Sequence, residues 1–297
     1  MIDYVRQYYL DKDKIESFVT DKENFEELYT VLEYHSGEIS YPFTANIGSM
    51  EIRINDKLVS VMNSIHKLYN ELKENKSHNH NDFSYSAICE TIDYLGSKLV
   101  DLRKTRLTQL EFGLNIRLPM PAEFVIKENI SLHKLEIHNH NEQFNGRGEY
   151  KQFNHYNYYF KIYDKAKQFN LNENVIRFEI KYKRNKGFNP LGAFNIYDLK
   201  NKQVLKALFG DMLKRFDELT IIDNIPSDST ISVEDRKSLE SYLSFNFWDK
   251  LSLRGNRNIK SIEVKKFEKL LVKNDLLKTK TFLRASLIKK FNELLDS

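Results

Sequence analysis

The sequence predicts an α+β fold, with a sheet in the middle of the chain and helices toward its end. Residues 107–118, 158–165 and 175–183 alternate apolar and polar side chains with the two-residue period of a strand. From residue 198 onward, apolar side chains recur at intervals of three and four residues, which is the period of a helix. Strands and helices that are segregated along the chain in this way are typical of α+β proteins.

The elements before residue 107 are less regular. Residues 1–44 show a mixed pattern that predicts no definite element. Residues 47–61 alternate around an Asn-Asp turn signal and predict two short strands. Residues 83–102 have apolar side chains at helical spacing and predict an amphipathic helix, with Ser84 or Ser86 as its N-cap.

The elements after the first long strand differ in composition. Residues 131–157 are rich in His and Asn, and they predict the start of a helix followed by a long loop. After Pro190 the pattern becomes helical, and helices are predicted over residues 198–219, 232–248 and 262–295.

These changes of pattern divide the chain into three predicted parts. They are an N-terminal segment (1–45), a catalytic sheet domain (46–190) and a helical, basic region (191–297). Residues 249–297 contain 13 Lys and Arg against six Asp and Glu, although the whole chain has a formal net charge of only +4. This concentration of positive charge predicts a phosphate-binding surface on the last helices. The lysines selected for it are Lys265, Lys266, Lys269 and Lys273.

Composition and motifs also exclude several classes of protein. The single cysteine, Cys89, cannot form an internal disulfide, which favours a reducing compartment and predicts a cytoplasmic location. No stretch approaches the roughly 18 apolar residues that a membrane span requires. The sequence has no P-loop, Rossmann glycine motif or nucleophile elbow, which argues against ATPase, dinucleotide-dependent and serine-hydrolase chemistry.

Two carboxylates are predicted to share the polar face of the sheet. Alternation places Glu111 on the polar face of residues 107–118 and Glu179 on the polar face of residues 175–183. If the two strands are neighbours, these carboxylates repel each other unless a cation lies between them. Oxygen ligands of this kind suit Mg²⁺ or Mn²⁺, so the pair predicts a divalent-metal site.

Asp164 is a third acidic candidate, but its position in the strand pattern is less favourable. Simple alternation places it on the same face as Phe160 and Ile162, away from the other two carboxylates. It joins them only if the strand ends at Tyr163 or if a bulge redirects its side chain.

The run at residues 158–184, YYFKIYDKAKQFNLNENVIRFEIKYKR, resembles the paired motif of rolling-circle replication initiators. That family includes plasmid and conjugative-transposon initiators and the filamentous-phage gene-two protein. Residues 64–70 (SIHKLYN), 81–86 (NDFSYS) and 107–116 (LTQLEFGLNI) are also similar to the phage-type members. The resemblance extends roughly over residues 47–219.

The resemblance implies a central antiparallel sheet with flanking helices and an enzyme that nicks one DNA strand at an origin. A tyrosine oxygen attacks the scissile phosphate and gives a 5′-phosphotyrosyl intermediate, while a divalent metal neutralises the phosphate charge. The implied partners are origin DNA, as a single strand or hairpin, a host helicase and, in a dimer, a second copy of the chain. The residues implied by position are Glu111, Asp164 and Glu179 as metal ligands, Lys165 as a catalytic residue, and Arg177 and Lys181 as DNA contacts.

The tyrosine nucleophile is predicted less directly, because the chain has 17 tyrosines. Tyr197 is the first choice, since it follows Glu179 by 18 residues and family members place the nucleophile downstream of the second motif. Tyr182 is the second choice, although alternation places it on the apolar face. Tyr163 is predicted to be a packing or positioning residue, and Tyr242 is a remote alternative.

Two other functions stay open at this point. Asp164 followed by Glu179 and Lys181 has the acid…Glu-x-Lys form of restriction-endonuclease-like enzymes, which hydrolyse DNA with a metal-activated water. Alternatively, the chain is a non-catalytic, sequence-specific DNA-binding protein. The pairs His78/His80 and His138/His140 have the spacing of a metal-binding histidine pair but lack its hydrophobic middle residue.

Overall fold

The computed structural model describes residues 1–139, 146–225, 231–252 and 256–297. Its centre is a nine-stranded sheet with the strand order β2-β3-β4-β5-β1-β6-β10-β9-β8, in which every neighbouring pair is antiparallel. Strands β7 and β11 form a second, two-stranded sheet. The strands are β1 (Ile2–Tyr9), β2 (Tyr29–Leu32), β3 (Ile39–Ile47), β4 (Met50–Ile54), β5 (Val59–Ser64), β6 (Thr105–Arg117), β7 (Ile130–His133), β8 (Tyr150–Asn154), β9 (Tyr158–Asp164), β10 (Val175–Tyr182) and β11 (Leu219–Ile221).

Helices flank the large sheet and dominate the last third of the chain. They are α1 (Lys12–Thr20), α2 (Ile65–Glu74), α3 (Tyr85–Lys98), α4 (Ala122–Phe124), α5 (Lys165–Gln168), α6 (Lys202–Asp217), α7 (Val233–Leu243), α8 (Phe245–Leu251), α9 (Arg257–Lys273) and α10 (Lys278–Asp296). The predicted α+β fold, with a central antiparallel sheet and a helical C-terminal region, is therefore confirmed. No helix in the described ranges combines the length and the apolar character needed to cross a membrane.

Most of the predicted elements form, but three regions differ. Residues 1–44, for which no definite element was predicted, contain β1, α1, β2 and most of β3, and the helix predicted over residues 262–295 is divided into α9 and α10. Strands β4 and β5 are the predicted hairpin, and Ser84 is the N-cap of α3, where its side chain accepts a hydrogen bond from the Ala87 N–H. The prediction for residues 131–157 was wrong, because β7 lies at the start of this region and β8 near its end. Both strands are only four or five residues long, too short for a clear two-residue period to appear in a His- and Asn-rich sequence.

The apolar face of the large sheet packs against α6 and α10. Phe178 of β10 contacts Phe216 of α6 edge to face, with ring centroids 5.2 Å apart. On the neighbouring strand, Phe112 lies 6.4 Å from Phe291 of α10, which stacks in turn on Phe209 of α6. Burial of these aromatic rings is a main stabilising term for the fold. Because the helices cover this face, the alternate side chains of β6 and β10 lie on the opposite, polar face.

A second hydrophobic core lies under the helices α7, α8 and α9. Trp248 is its largest member, and its indole N–H donates to the Tyr242 carbonyl oxygen at 2.6 Å. Phe267 of α9 packs beside both rings. This core also includes Leu132 of β7, so the small sheet joins the helical part to the rest of the molecule.

Two histidines link the small sheet to the large one. Nδ1 of the buried His133, on β7, lies 2.7 Å from Nε2 of His155, in the loop between β8 and β9. Nε2 of His133 lies 3.0 Å from the Arg215 carbonyl oxygen. Burial lowers the pKa of His133 to about 3 and the pKa of His155 to about 4. Both rings are therefore neutral in the folded protein at neutral pH.

The stability of the protein is expected to fall on acidification because of this pair. An unfolded histidine has a pKa near 6.5, so the contribution of His133 is fully present above that pH and is lost as the pH falls toward its folded pKa. At pH 5 the contribution of His133 to the free energy of unfolding is about 2 kcal/mol smaller than at neutral pH. Urea unfolding between pH 7 and pH 5 should show a shallower pH dependence in His133→Asn than in the exposed-histidine control His35→Asn. Equal slopes in the two variants would contradict this assignment.

Candidate metal centre

Strands β6 and β10 are neighbours in the large sheet, and this brings two glutamates together. In the register of the pair, Glu179 lies opposite Gly113 and Lys181 lies opposite Glu111. Residues that are opposite in an antiparallel pair point to the same face of the sheet. Glu111 and Glu179 therefore share the polar face, and the predicted shared surface is confirmed.

A bulge in β1 adds a third carboxylate. Ile2 pairs with Phe112 and Val5 with Leu110, so β1 uses one residue more than β6 over this stretch. Ile2 and Val5 are both buried in the apolar core, and the two residues between them turn toward the polar face. One of these is Asp3, whose carboxylate accepts hydrogen bonds from Asn79 at 2.7 Å and from the Ser64 hydroxyl.

Asp3, Glu111 and Glu179 form what we call the acidic cluster. One carboxylate oxygen of each lies within 4.8 Å of the others, and all three side chains are buried. Burial and the nearby charge of Glu179 raise the pKa of Glu111 above its ordinary value. Burial also acts to raise the pKa of Glu179, but the cations Lys161 and Arg177 outweigh it and hold that pKa well below its ordinary value.

Three cations offset the charge of the acidic cluster. Lys161 Nζ lies between the two glutamates, 3.3 Å from Glu111 Oε1 and 3.1 Å from Glu179 Oε1. Lys181 Nζ is 2.8 Å from Glu111 Oε1. Arg177 Nε donates to Glu179 Oε2 at 2.8 Å, and its NH2 group lies 3.4 Å from Asp3 Oδ2. The closely spaced carboxylates therefore attract positive charge into the space between them.

The acidic cluster fits a divalent metal of the magnesium or manganese class. Its donors are carboxylate oxygens, which these hard cations prefer, and they converge from three adjacent strands of a rigid sheet. Lys161 Nζ lies between Glu111 and Glu179, so a metal bound by all three carboxylates would take the place of that ammonium. The residues that would hold the metal are Asp3, Glu111 and Glu179.

Lys165 is connected to the acidic cluster by hydrogen bonds that pass through Asn79, a loop residue. Its Nζ donates to Asn79 Oδ1 at 2.9 Å, and Asn79 in turn donates to Asp3. Burial and the charge of Arg177 lower the pKa of the Lys165 ammonium to about 7. Lys165 is thus a buried group that can exist in either protonation state near neutral pH.

Asp164 is not part of the acidic cluster. It lies opposite Ile176 in the register of β9 and β10, on the apolar side that simple alternation predicts. Its Oδ1 accepts a hydrogen bond from the Lys167 N–H at 2.9 Å and so caps α5. The acid…Glu-x-Lys arrangement of a restriction-endonuclease-like site is accordingly not assembled around Glu179.

Tyr163 is the phenol that contacts the acidic cluster. It lies on the polar face of β9, and its hydroxyl donates to Glu179 Oε2 at 3.2 Å. Burial and the charge of Glu179 raise its pKa well above the ordinary value for a tyrosine. The phenol is therefore neutral, and it is held as a hydrogen-bond donor to Glu179.

The tyrosines chosen from the sequence lie elsewhere. Tyr182 is on the apolar face, and its hydroxyl donates to Asp211 Oδ2 at 2.8 Å. The Tyr197 ring stacks under the Arg103 guanidinium at 4.0 Å, and Asn195 ties this segment to the Thr105 carbonyl oxygen at 2.7 Å. Thr105 precedes Glu111 by six residues of extended strand, about 20 Å. Tyr242 packs in the second core, where its hydroxyl donates to Glu263.

The predicted DNA-binding residues fall into two groups. Arg177 is buried against the acidic cluster, and Lys181 is partly exposed at its edge. The other four line the exposed surface of α9, where Lys266 pairs with Glu263 and Lys273 pairs with Asp235. Within the described ranges, Lys265 and Lys269 have no ion-pair partner. The four lysines of this second group are Lys265, Lys266, Lys269 and Lys273.

Within the described residues, neither histidine pair forms a metal site. The His78 ring lies 4.2 Å from that of His80, and its Nε2 is 2.9 Å from Glu74. Asn79, between these two histidines, is the residue that reaches the acidic cluster. Of the second pair, His140 lies outside the described residues.

Comparison with known proteins gives one structural likeness. No protein-family model matches the chain, and no curated protein matches it. The chain is similar to a solved rolling-circle replication initiator protein from Geobacillus stearothermophilus, with 11% identical residues and a TM-score of 0.42. The likeness covers 77% of this chain and 89% of that one. At this TM-score it assigns no role to any residue.

Three residues of the site were not among the sequence-based choices. Lys161 was within reach, because alternation along β9 places it on the same face as Tyr163. Asp3 gave no signal, since a bulge breaks the period of β1 at the point where Asp3 lies. Asn79 sits in an irregular loop, where no periodicity indicates the direction of a side chain.

Proposed function

We propose that this protein is a metal-dependent enzyme that nicks one strand of DNA by tyrosine attack, in the role of a replication initiator. The observation that carries the proposal is the acidic cluster on the polar face of the sheet, with the Tyr163 phenol hydrogen-bonded to it. The resemblance of residues 158–184 to the paired motif of rolling-circle initiators supports the same function.

The contacts of Tyr163 suggest how its oxygen becomes a nucleophile. The hydrogen bond to Glu179 Oε2 orients the phenol, and the phenol proton passes to water as the oxygen attacks the scissile phosphorus. The new bond joins the tyrosine oxygen to phosphorus, the bond from phosphorus to the 3′ oxygen breaks, and that oxygen takes up a proton from water. A divalent metal held by the acidic cluster supplies charge stabilisation to the phosphate. Lys161 and Lys165 add positive charge in the same region.

The geometry favours Tyr163 over the tyrosines chosen from the sequence. Tyr182 would have to cross from the apolar face of the sheet, and Tyr197 would have to leave its stack with Arg103. Either movement breaks packed contacts and costs free energy. Tyr163 is itself buried, at 6% exposed, so a phosphate reaches its oxygen only after the residues around it open, but its hydroxyl already touches Glu179. The experiment therefore tests Tyr182 and Tyr197 as alternative nucleophiles beside Tyr163.

The test is incubation with single-stranded DNA carrying candidate origin sequences and Mn²⁺, followed by a denaturing gel and peptide mass spectrometry. A covalent adduct on Tyr163, lost in Tyr163→Phe and kept in Tyr182→Phe and Tyr197→Phe, is the expected result. An adduct on another tyrosine would support the proposed nicking activity but would assign the nucleophile to that tyrosine instead of Tyr163. Cleavage without an adduct would favour a hydrolytic nuclease, and binding without cleavage would favour a non-catalytic DNA-binding protein.

The exposed lysines of α9 are proposed to bind the phosphates of the same DNA. Lys265 and Lys269 lie one helical turn apart on one face of α9, where both ammonium groups are exposed. Such contacts release counterions from DNA, so binding weakens as salt increases.

The variant Lys265→Gln with Lys269→Gln should therefore bind DNA more weakly and with a smaller salt dependence. The slope of log K against log salt is expected to fall by about two, one unit for each phosphate that is no longer neutralised. Fluorescence anisotropy across a salt series measures it. Lys22→Gln with Lys57→Gln removes the same charge from exposed positions near β2 and β4 and serves as the control. An unchanged slope in the α9 variant would remove this helix from the DNA interface.

A further inference from the structure

One edge of the large sheet is formed by an exposed hairpin that the proposed function does not use. We call residues 28–40, which include all of β2 and the start of β3, the edge hairpin. Every residue of β2 is exposed, and several large apolar side chains project into solvent, with 63% of Leu32 and 92% of Tyr34 accessible. Several exposed large apolar side chains close together along the chain are a feature of interaction sites.

The two edges of the large sheet differ in whether another segment of the chain covers them. At the far edge, β8 is covered by the segment after β7: the Asn139 N–H donates to the Gln152 carbonyl oxygen at 2.8 Å. Lys151 also reaches across to the Ile130 carbonyl oxygen. At the near edge, β3 is the sole strand that pairs with β2 in the described parts of the chain. The outer side of β2 is thus available to pair with another strand.

The charge of this region restricts what can bind there. Residues 21–40 contain six acidic residues and one lysine. A nucleic acid would be repelled, and two copies of the hairpin would bring two strongly acidic segments together. Charge complementarity therefore selects a basic partner. Glu27 and Glu33 bracket β2 and are six residues apart, about 20 Å in extended chain.

We propose that the edge hairpin is a docking site for an extended, basic segment of a partner protein, which adds as a strand beside β2. Backbone hydrogen bonds to the outer side of β2 hold the incoming strand. Its central residues are apolar and lie beside Tyr29, Val31 and Leu32. Lysine or arginine residues at both of its ends lie beside Glu27 and Glu33, which fixes their spacing at about six residues.

A designed peptide tests the proposal directly on the full chain. The peptide has nine residues, with two lysines at each end and alternating valine and threonine between them, and it carries a fluorescent label. Anisotropy at low salt should show saturable binding with a Kd below about 1 mM. The same peptide with glutamates in place of the lysines should not bind. Absence of saturable binding of the lysine peptide, or equal binding of the glutamate peptide, would overturn the proposal.

Variants of the chain distinguish a specific charge contribution of the edge hairpin from non-specific binding of the peptide. Glu27→Lys with Glu33→Lys should weaken binding of the lysine peptide about tenfold or more. Glu234→Lys with Glu240→Lys makes the same charge change at exposed positions of α7 and should leave the affinity unchanged. Equal weakening by the two pairs would mean that the peptide responds only to net charge, which would overturn the assigned site.

Two further measurements examine the mode of binding. A lysine peptide N-methylated at alternate residues lacks the donors of one edge and should bind about tenfold more weakly if it adds as a strand. Unchanged affinity would exclude strand addition. Sedimentation of the chain alone should show no self-association through the hairpin, and a dimer that Leu32→Ser dissociates would assign the hairpin to a second copy and overturn the proposal.

Discussion

Replacement of Glu111 by glutamine is expected to reduce metal-dependent nicking about 100-fold. Glutamine keeps the shape of the side chain and an oxygen acceptor but removes one of the three negative charges in the acidic cluster. The fold should tolerate it, because Lys161 keeps Glu179 as a partner and Lys181 is partly exposed to solvent. Initial nicking rates against Mn²⁺ concentration give the size of the effect. The concentration for half-maximal rate should rise together with the loss of rate.

Asp164→Asn provides the matched control. Asp164 caps α5 and faces away from the acidic cluster, so this variant should lose about 1 kcal/mol of stability or less and keep its nicking rate. Direct Mn²⁺ titration of both variants without DNA separates metal binding from catalysis. A loss of metal affinity in Asp164→Asn that matches Glu111→Gln would return Asp164 to the metal site and contradict the cluster assigned from the geometry.

Replacement of Arg177 by methionine is expected to destabilise the fold by about 3–5 kcal/mol. Arg177 is 3% exposed, and it neutralises both Glu179 and Asp3. Its removal leaves buried carboxylates without their cation. The midpoint of urea unfolding measures the loss, and Mn²⁺ should restore more stability to this variant than to the parent chain, because the metal replaces the missing charge.

Arg117→Met is the control for that experiment. Arg117 is on the neighbouring strand, its side chain is 80% exposed, and it pairs with Glu173 on the surface. Loss of an exposed pair changes stability by less than about 1 kcal/mol. If Arg177→Met were as stable as Arg117→Met, the charge of the acidic cluster would not depend on Arg177.

The sequence predicts part of the site because strand alternation is a local property. Glu111 and Glu179 fall on polar faces by counting along each strand, and their meeting requires only that β6 and β10 be neighbours. The same counting places Asp164 and Tyr182 on the apolar face, where the structure has them. It also identifies Lys161 as a neighbour of the two glutamates once the order β6-β10-β9 is known.

The remainder of the site depends on features that have no local signal. Asp3 reaches the acidic cluster because an extra residue in β1 shifts the alternation and because β1 pairs with β6, a strand about a hundred residues later. The choice of Tyr197 rested on spacing along the chain, whereas its distance from Glu111 is set by where Asn195 attaches to β6. Strand β8 was missed because five polar and aromatic residues are too few to define a period.

The position of β1 between β5 and β6 has a consequence for synthesis of the protein. Strands β1 to β5 have all of their mutual partners before β6 is translated, so they can pair among themselves in the order β2-β3-β4-β5-β1. Until β6 has been translated, β1 is an open edge with an apolar face, and nascent chains on neighbouring ribosomes expose the same edge. Arrival of β6 both closes that edge and brings Glu111 to Asp3. Closure of the β1 edge and the meeting of Asp3 with Glu111 are therefore the same event, and β10 later completes the acidic cluster by adding Glu179.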